Sequence, residues 1–438
     1  MIQHSNRYQA FLLIALIFAI VGNKCSFSSE PNESSTQLTG QSTLGYYLKY
    51  ASLNNPAIEA SYNRWQAMLE KIPQVKSLPD PRFSYGYYFQ EIETRVGPQR
   101  YRFSVSQMIP WLFKLDLQGK IALRDALIAQ CQYDTLKLAL YAKVKTIFFK
   151  YAYLGREIAI LNDMVFLLDQ IESVTLTRYK SGTTSYADVL KTQIEISKLK
   201  DRLESARQMR QPLMTEFNSL LNRPANIEIT FPDDIPDKHK DFTDEELFQA
   251  LREFNPQLAA VSVSIEKRKD MRNLAKQEFF PDVTIGLDYV QTDNSIFHNV
   301  RDDGKDAVIG MVSVNVPIWW NKYSAGIREA EKNSTAVQHD FAETQNNLTT
   351  ALKSALYEFH DAGRKMNLYN QELIPKAEQT LSTVRQAYTA GSADFFDLID
   401  SYRTLLDFRL AYEKEFSRKF KSLAQIEMLS ATDLMEYD

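Results

Sequence analysis

The sequence predicts an α+β membrane protein: an internally duplicated chain in which two β-hairpins contribute to a shared barrel and long coiled-coil helical hairpins extend it. Three observations carry this reading. Landmarks recur in the same order in both halves, four segments alternate large apolar with small or polar residues, and two long stretches hold apolar residues at sustained 4-3 spacing. The 438 residues would allow about three domains by length alone, but a repeat overrides that count.

The duplication is read from its landmarks. Residues 48–60 (LKYASLNNPAIEA) line up with 248–260 (FQALREFNPQLAA), Pro81 and Gly86 with Pro281 and Gly286, and Pro110 and Gly119 with Pro317 and Gly326. The turn at 178–190 (RYKSGTTSYADVL) returns at 386–399 (QAYTAGSADFFDLI). This gives repeat 1 over 44–221, a connector over 222–243 rich in Pro, Asp and Asn with a short strand expected at 227–231, repeat 2 over 244–430, and a tail at 431–438. Ahead of them, residues 1–28 read as an export signal: Arg7, an apolar run over 10–22, then small and polar residues. That run is short for a membrane span. Cys25 raises a lipid anchor, but Lys24 directly before it is poor for lipoprotein processing.

Composition removes several classes. At 24% charged residues and a net charge of −4 the chain has no nucleic-acid footprint. Cys25 and Cys131 exclude a disulfide framework, and the five histidines are dispersed with no ligand spacing, so no metal and no cofactor are expected. No nucleophile elbow or phosphate loop is present, which argues against an enzyme.

Each repeat opens with an amphipathic helix, 44–72 and 244–277, followed by two strands, 82–92 with 100–109 and 283–292 with 306–316. In the first, Phe83, Tyr85, Tyr87 and Phe89 alternate with Ser84, Gly86, Tyr88 and Gln90, the period of a half-exposed strand. Pro110-Trp111 and Pro317-Ile318-Trp319-Trp320 close the strand pairs. Proline ends the ladder, and indole rings prefer the water–lipid boundary, although packing in a sheet–helix corner would serve them too. Trp111, Trp319 and Trp320 are therefore candidate membrane-interface anchors.

The helical hairpins, 112–221 and 321–430, carry the seams. Leu140, Val144, Ile147, Tyr151, Leu154, Ile158, Leu161, Val165 and Leu168 hold the first; Leu348, Leu352, Ala355, Phe359, Ala362, Met366, Tyr369 and Leu373 hold the second. A helix over 113–177 would measure on the order of 100 Å at about 1.5 Å per residue. The shorter return helices leave room for the opening helices to stack on their ends. At the bends, Gly182 and Gly391 supply a left-handed residue, and Ser185 and Asp394 stand where a cap for the next helix is needed.

Four strands cannot close a barrel, which takes about eight in a single chain, and lipid tolerates no open edge. Strands must be pooled between chains. Taken together, the ordered duplicate set resembles the TolC-like outer-membrane efflux protein family over about 44–430: the Asn55-Pro56 and Asn255-Pro256 openings, the strand-ending prolines and the turn pattern Arg178, Gly182, Ser185, Asp188, Leu190. The resemblance implies a homotrimer with a 12-strand barrel in outer-membrane lipid and a helical tube reaching into the periplasm of a Gram-negative cell. A periplasmic adaptor and an inner-membrane pump would dock to it. It further implies a channel constriction at Asp397 and Asp400, a gate latch of Tyr388 with Asp188, and adaptor-docking tips at Gly182 and Gly391. Helix-dipole stabilisation is the plainer alternative for Asp397 and Asp188. The family's latch arginine is absent, with Ala393 in its place. The function so implied is a passive conduit of a tripartite efflux pump; a one-component protein-secretion conduit and a soluble periplasmic scaffold or adaptor are the rivals, and the substrate stays open.

Overall fold

A computed structural model of the chain describes residues 43–232, 235, 238–297 and 300–435. The signal segment 1–28 with Cys25, and tail residues 436–438, lie outside the described residues. The first repeat runs α1 (Leu44–Asn54), α2 (Pro56–Lys76), β1 (Arg82–Ile92), β2 (Gln99–Ile109), α3 (Lys114–Lys180) and α4 (Tyr186–Leu220). The second runs α5 (Asp244–Phe254), α6 (Pro256–Gln277), β3 (Val283–Thr292), β4 (Ala307–Val314), α7 (Trp320–Leu368), a π-helical turn (Tyr369–Leu373), α8 (Ile374–Ala390) and α9 (Phe395–Ser430).

The expectation of one opening helix per repeat is corrected: 44–72 and 244–277 are each two helices, broken at an Asn-Pro pair. Pro56 and Pro256 have no N–H to continue the preceding helix, and they sit at the start of the next, where none is needed. The asparagine does two jobs. The Asn255 Oδ1 accepts from Leu258 N–H at 3.1 Å, while its Nδ2 donates to the Leu429 carbonyl at 2.8 Å. Asn55 repeats this with Ala57 N–H and the Leu220 carbonyl, both at 3.0 Å. Each asparagine thus splices the end of a return helix to the start of an opening one.

Long α3 is the spine. Its sheet-proximal part carries α2 and α6, through Trp65 stacked on Tyr133 and through the Lys267–Asp125 pair at 2.5 Å. Its distal part carries α4 and α9. Between them lies an aromatic core in which Phe149 and Phe420 stack 5.0 Å apart and the Tyr151 hydroxyl donates to the Ile229 carbonyl at 2.6 Å. The buried Lys145–Glu427 pair (2.5 Å) pins the tail there, since the second Glu427 oxygen accepts from Leu434 and Met435 N–H at 2.8 and 2.7 Å. The expected strand at 227–231 does not form. The Ile227 and Ile229 carbonyls are taken by side chains, Asn218 for the first and Tyr151 and Arg210 for the second, instead of by a partner strand. The π-helical turn stands just ahead of Pro375, whose missing N–H and bulky ring widen the helix locally.

The strands form one antiparallel sheet in the order β1-β2-β3-β4, so β2 and β3 join the two repeats. The register sets Tyr85, Phe103, Tyr289 and Val308 in one row, beside a row of Phe83, Val105, Leu287 and Gly310. Their side chains share one face, and that face is exposed; Phe89, at its tip, is 94% exposed. The opposite face aligns Ser84, Ser104, Asp288 and Ile309. Among the described residues, strands β1 and β4 are each paired along one edge only. At the foot of the sheet Phe113 adopts φ 76°, a costly left-handed backbone for a bulky residue, which turns the chain from β2 into α3.

Candidate functional site

The chain reverses twice at the far end of the rods, and the two tips lie against each other. In the first, Gly182 (φ 73°) ends α3, and Ser185 caps α4 in a reciprocal box with Asp188. In the second, Gly391 (φ 87°) ends α8, and the Asp394 carboxylate accepts from Asp397 N–H at 2.8 Å to cap α9. A side chain at Gly182 would meet nothing within 4 Å, so this tip faces open space. One at Gly391 would come to 3.9 Å from an Arg178 nitrogen.

Within one chain Asp188 and Tyr388 bond to different partners. The Asp188 carboxylate is satisfied locally by the Ser185 and Thr184 hydroxyls at 2.8 and 2.9 Å, with Lys191 at 3.6 Å. Partial burial alone would raise its pKa; these hydrogen bonds and the lysine charge outweigh burial and hold the carboxyl below its usual range. Tyr388 is buried against α3. Its hydroxyl lies 3.5 Å from the Thr175 hydroxyl, and the Arg178 guanidinium covers its ring at 4.3 Å.

Arg178 is the residue that sequence reasoning used only as a landmark. From the end of α3 it donates to the Thr183 carbonyl at 3.2 Å and stacks on Tyr388 of the second hairpin. It therefore bridges both tips. The signal for it was its position one turn before Gly182, where a cation also faces the negative end of the helix dipole.

Asp397 and Asp400 are exposed on one face of α9, beside exposed Phe396, and neither forms an ion pair among the described residues. One turn on, Arg403 grips Glu195 of α4 with two bonds of 2.6 and 3.2 Å. The Arg403 guanidinium, helped by Lys198, holds the Glu195 carboxyl below its usual range. Beneath them Tyr402 donates to the Met164 carbonyl at 2.9 Å.

At the sheet end the three tryptophans differ. Trp111 lies flat on Phe280 at 5.1 Å, whereas Trp319 and Trp320 are 72% and 70% exposed. Lys114, buried beside Trp111, bonds Asp282 at 2.9 Å. Among the described residues no group of three or more His, Cys, Asp or Glu side chains is placed to hold a metal ion. No described helix is long and apolar enough to cross a membrane.

The fold matches that of the outer-membrane channel OprN, with a TM-score of 0.77 at 12% identity over 89% of this chain and 90% of that one. It matches the outer membrane protein VceC of Vibrio cholerae at 0.73 and 14% identity, over 88% and 95%. In sequence, the chain is 23% identical over 410 residues to the cobalt-zinc-cadmium resistance protein CzcC of Cupriavidus metallidurans, covering 90% of this chain and 91% of the relative. Residues 247–418 match the outer membrane efflux protein family. That match falls within the second repeat. The chain works in the outer membrane as an efflux channel component of the TolC-like fold. The family is one of conduits that oligomerise and work with an adaptor and a pump.

Proposed function

We propose that three copies of this chain form a passive conduit with no catalytic activity of its own. The observation that carries it is the sheet: one face of large exposed apolar side chains, with β1 and β4 open at either edge. In water such a face is a liability, and in lipid an open edge is forbidden. Joining β1 of one copy to β4 of the next removes both edges, and three copies give a 12-strand barrel. Trp319 and Trp320, exposed at its foot, suit the lipid–water boundary, with Trp111 supporting them from the Phe280 corner.

At the other end the tips form the mouth. Three copies of exposed Asp397 and Asp400 ring the opening and favour cations. Arg178, clamped on Tyr388, takes over the closing role that the arginine missing at Ala393 would have played. Gly182 and Gly391 present the surface to a periplasmic adaptor, which links the conduit to an inner-membrane pump. The relation to a cobalt-zinc-cadmium resistance protein and the acidic mouth together favour divalent metal cations as cargo.

The test is the mass and conductance of the detergent-purified protein. A three-chain particle that carries ion current across planar bilayers is expected. A stable monomer without conductance would overturn the reading.

A further inference from the structure

The inner face of the sheet carries a charge arrangement that neither the tips nor the outer surface explains. Between the rims that face is built of small or apolar residues: Ser84 and Gly86 on β1, Ser104 and Ser106 on β2, Gly286 on β3, Ile309 and Met311 on β4. Arg82 of β1 shares this face, in the row of Ser106, Gly286 and Met311, and two further charged side chains, paired with each other, interrupt it nearer the middle. Arg102 on β2 is paired with Asp288 on β3, and Ser104 donates to the other Asp288 oxygen at 2.5 Å.

The two partners are not equally visible. The Asp288 side chain is 1% exposed and the Arg102 side chain 43%. A carboxylate cut off from water keeps its charge only while its partners stay in place. Asp288 therefore fixes the guanidinium against the wall, and the charge shown to solvent is the positive one. We propose that Arg102, positioned by Asp288 and Ser104, is a charge-selective contact in the barrel lumen that receives anionic groups such as carboxylates and phosphates. This rests on the trimeric barrel, in which three guanidinium groups stand at one level, opposite in sign to the acidic mouth. A cation admitted at the tips then meets charge of its own sign at that level.

Screening sets the conditions under which the ring is felt. Twelve strands about 4.8 Å apart, tilted by about 40°, place the wall about 12 Å from the axis. The Debye length is about 10 Å at 0.1 M salt, about 30 Å at 0.01 M and about 3 Å at 1 M. The ring thus reaches across the lumen only in dilute salt.

The experiment measures reversal potentials of the full-length trimer in planar bilayers under a KCl gradient. Near 10 mM, Arg102→Gln shifts permeability toward cations, Asp288→Asn shifts it toward anions, each by roughly twofold, and Arg102→Lys stays close to the parent. All shifts vanish near 1 M. Unaltered selectivity of a conducting Arg102→Gln trimer at low salt overturns the proposal. Should that variant not assemble, the parent channel decides. Tripolyphosphate added from the barrel side blocks current at lower concentration than hexamminecobalt added from that side, and equal or reversed potency overturns the proposal. A preparation that conducts nothing refutes the conduit reading itself, and is thereby told apart from a failure of this inference.

Discussion

Removing Arg178 tests the closing mechanism directly. Its guanidinium lies 4.3 Å from the Tyr388 ring centre, and that ring is sealed from solvent while the arginine is half-buried. A cation–π contact is worth about 0.5–1 kcal/mol when exposed and about 2 when desolvated, so about 1 kcal/mol per chain is the reasonable value here. If three chains open in concert the terms add to about 3 kcal/mol, on the order of a hundredfold in the closed-to-open ratio. Arg178→Ala should therefore raise the open probability of single channels by that order. Arg178→Lys, with a point charge in place of the planar group, should lie in between. Tyr388→Leu should match Arg178→Ala, and the double variant should add little, because both remove one contact. An Arg178→Ala channel with unchanged open probability would refute the clamp, as would full additivity of the two substitutions.

Other expectations follow from the same geometry. Asn255→Ala removes a helix cap and strands the buried Leu429 carbonyl, costing about 2–4 kcal/mol, while half-buried Asn55→Ala costs about 1–2; thermal loss of helical circular dichroism should rank them in that order. Asp397→Ala combined with Asp400→Ala should lower cation preference in bilayer conductance, and unchanged selectivity would remove both residues from the constriction. The Glu195 carboxyl is held below the ordinary glutamate value of 4.5 by Arg403, so its pairing stabilises the closed tips above that pH and is lost as pH falls through the depressed value. Open probability should accordingly rise below pH 4.5, and Glu195→Gln should flatten that rise.

Much of the fold was legible because its signals are local. The strand alternation around Phe83 and Tyr289, the seams through Leu140 and Leu352, and the glycines at 182 and 391 each need only a few neighbouring residues to be read. The missed features depend on residues far apart in sequence. Nothing near position 178 announces that its guanidinium will cover a ring at 388, and nothing near Asp288 announces the strand register that delivers Arg102 and Ser104. The expected strand at 227–231 failed for the same reason, since side chains from α3 and α4 claimed its carbonyls first. Asp188 is a different case. The resemblance assigned it a distant tyrosine, but Thr184 and Ser185, its own neighbours, already satisfy it.

The Asn-Pro pairs show how duplication and function meet. The first proline-marked break lets α1 and α2 follow one another along α3, and the second lets α6 continue where α9 ends. Without those breaks each repeat would have one long rod and one short one, and a tube of such pairs would taper to a gap beside the barrel. The Asn55 and Asn255 amides close that gap by bonding backwards to Leu220 and Leu429 while capping forwards. A helix end that would otherwise leave its last carbonyls bare is thereby spliced to the next helix. A conduit needs continuous walls more than it needs any one reactive group, and in this chain the wall is continuous because two asparagines serve both helix ends at once.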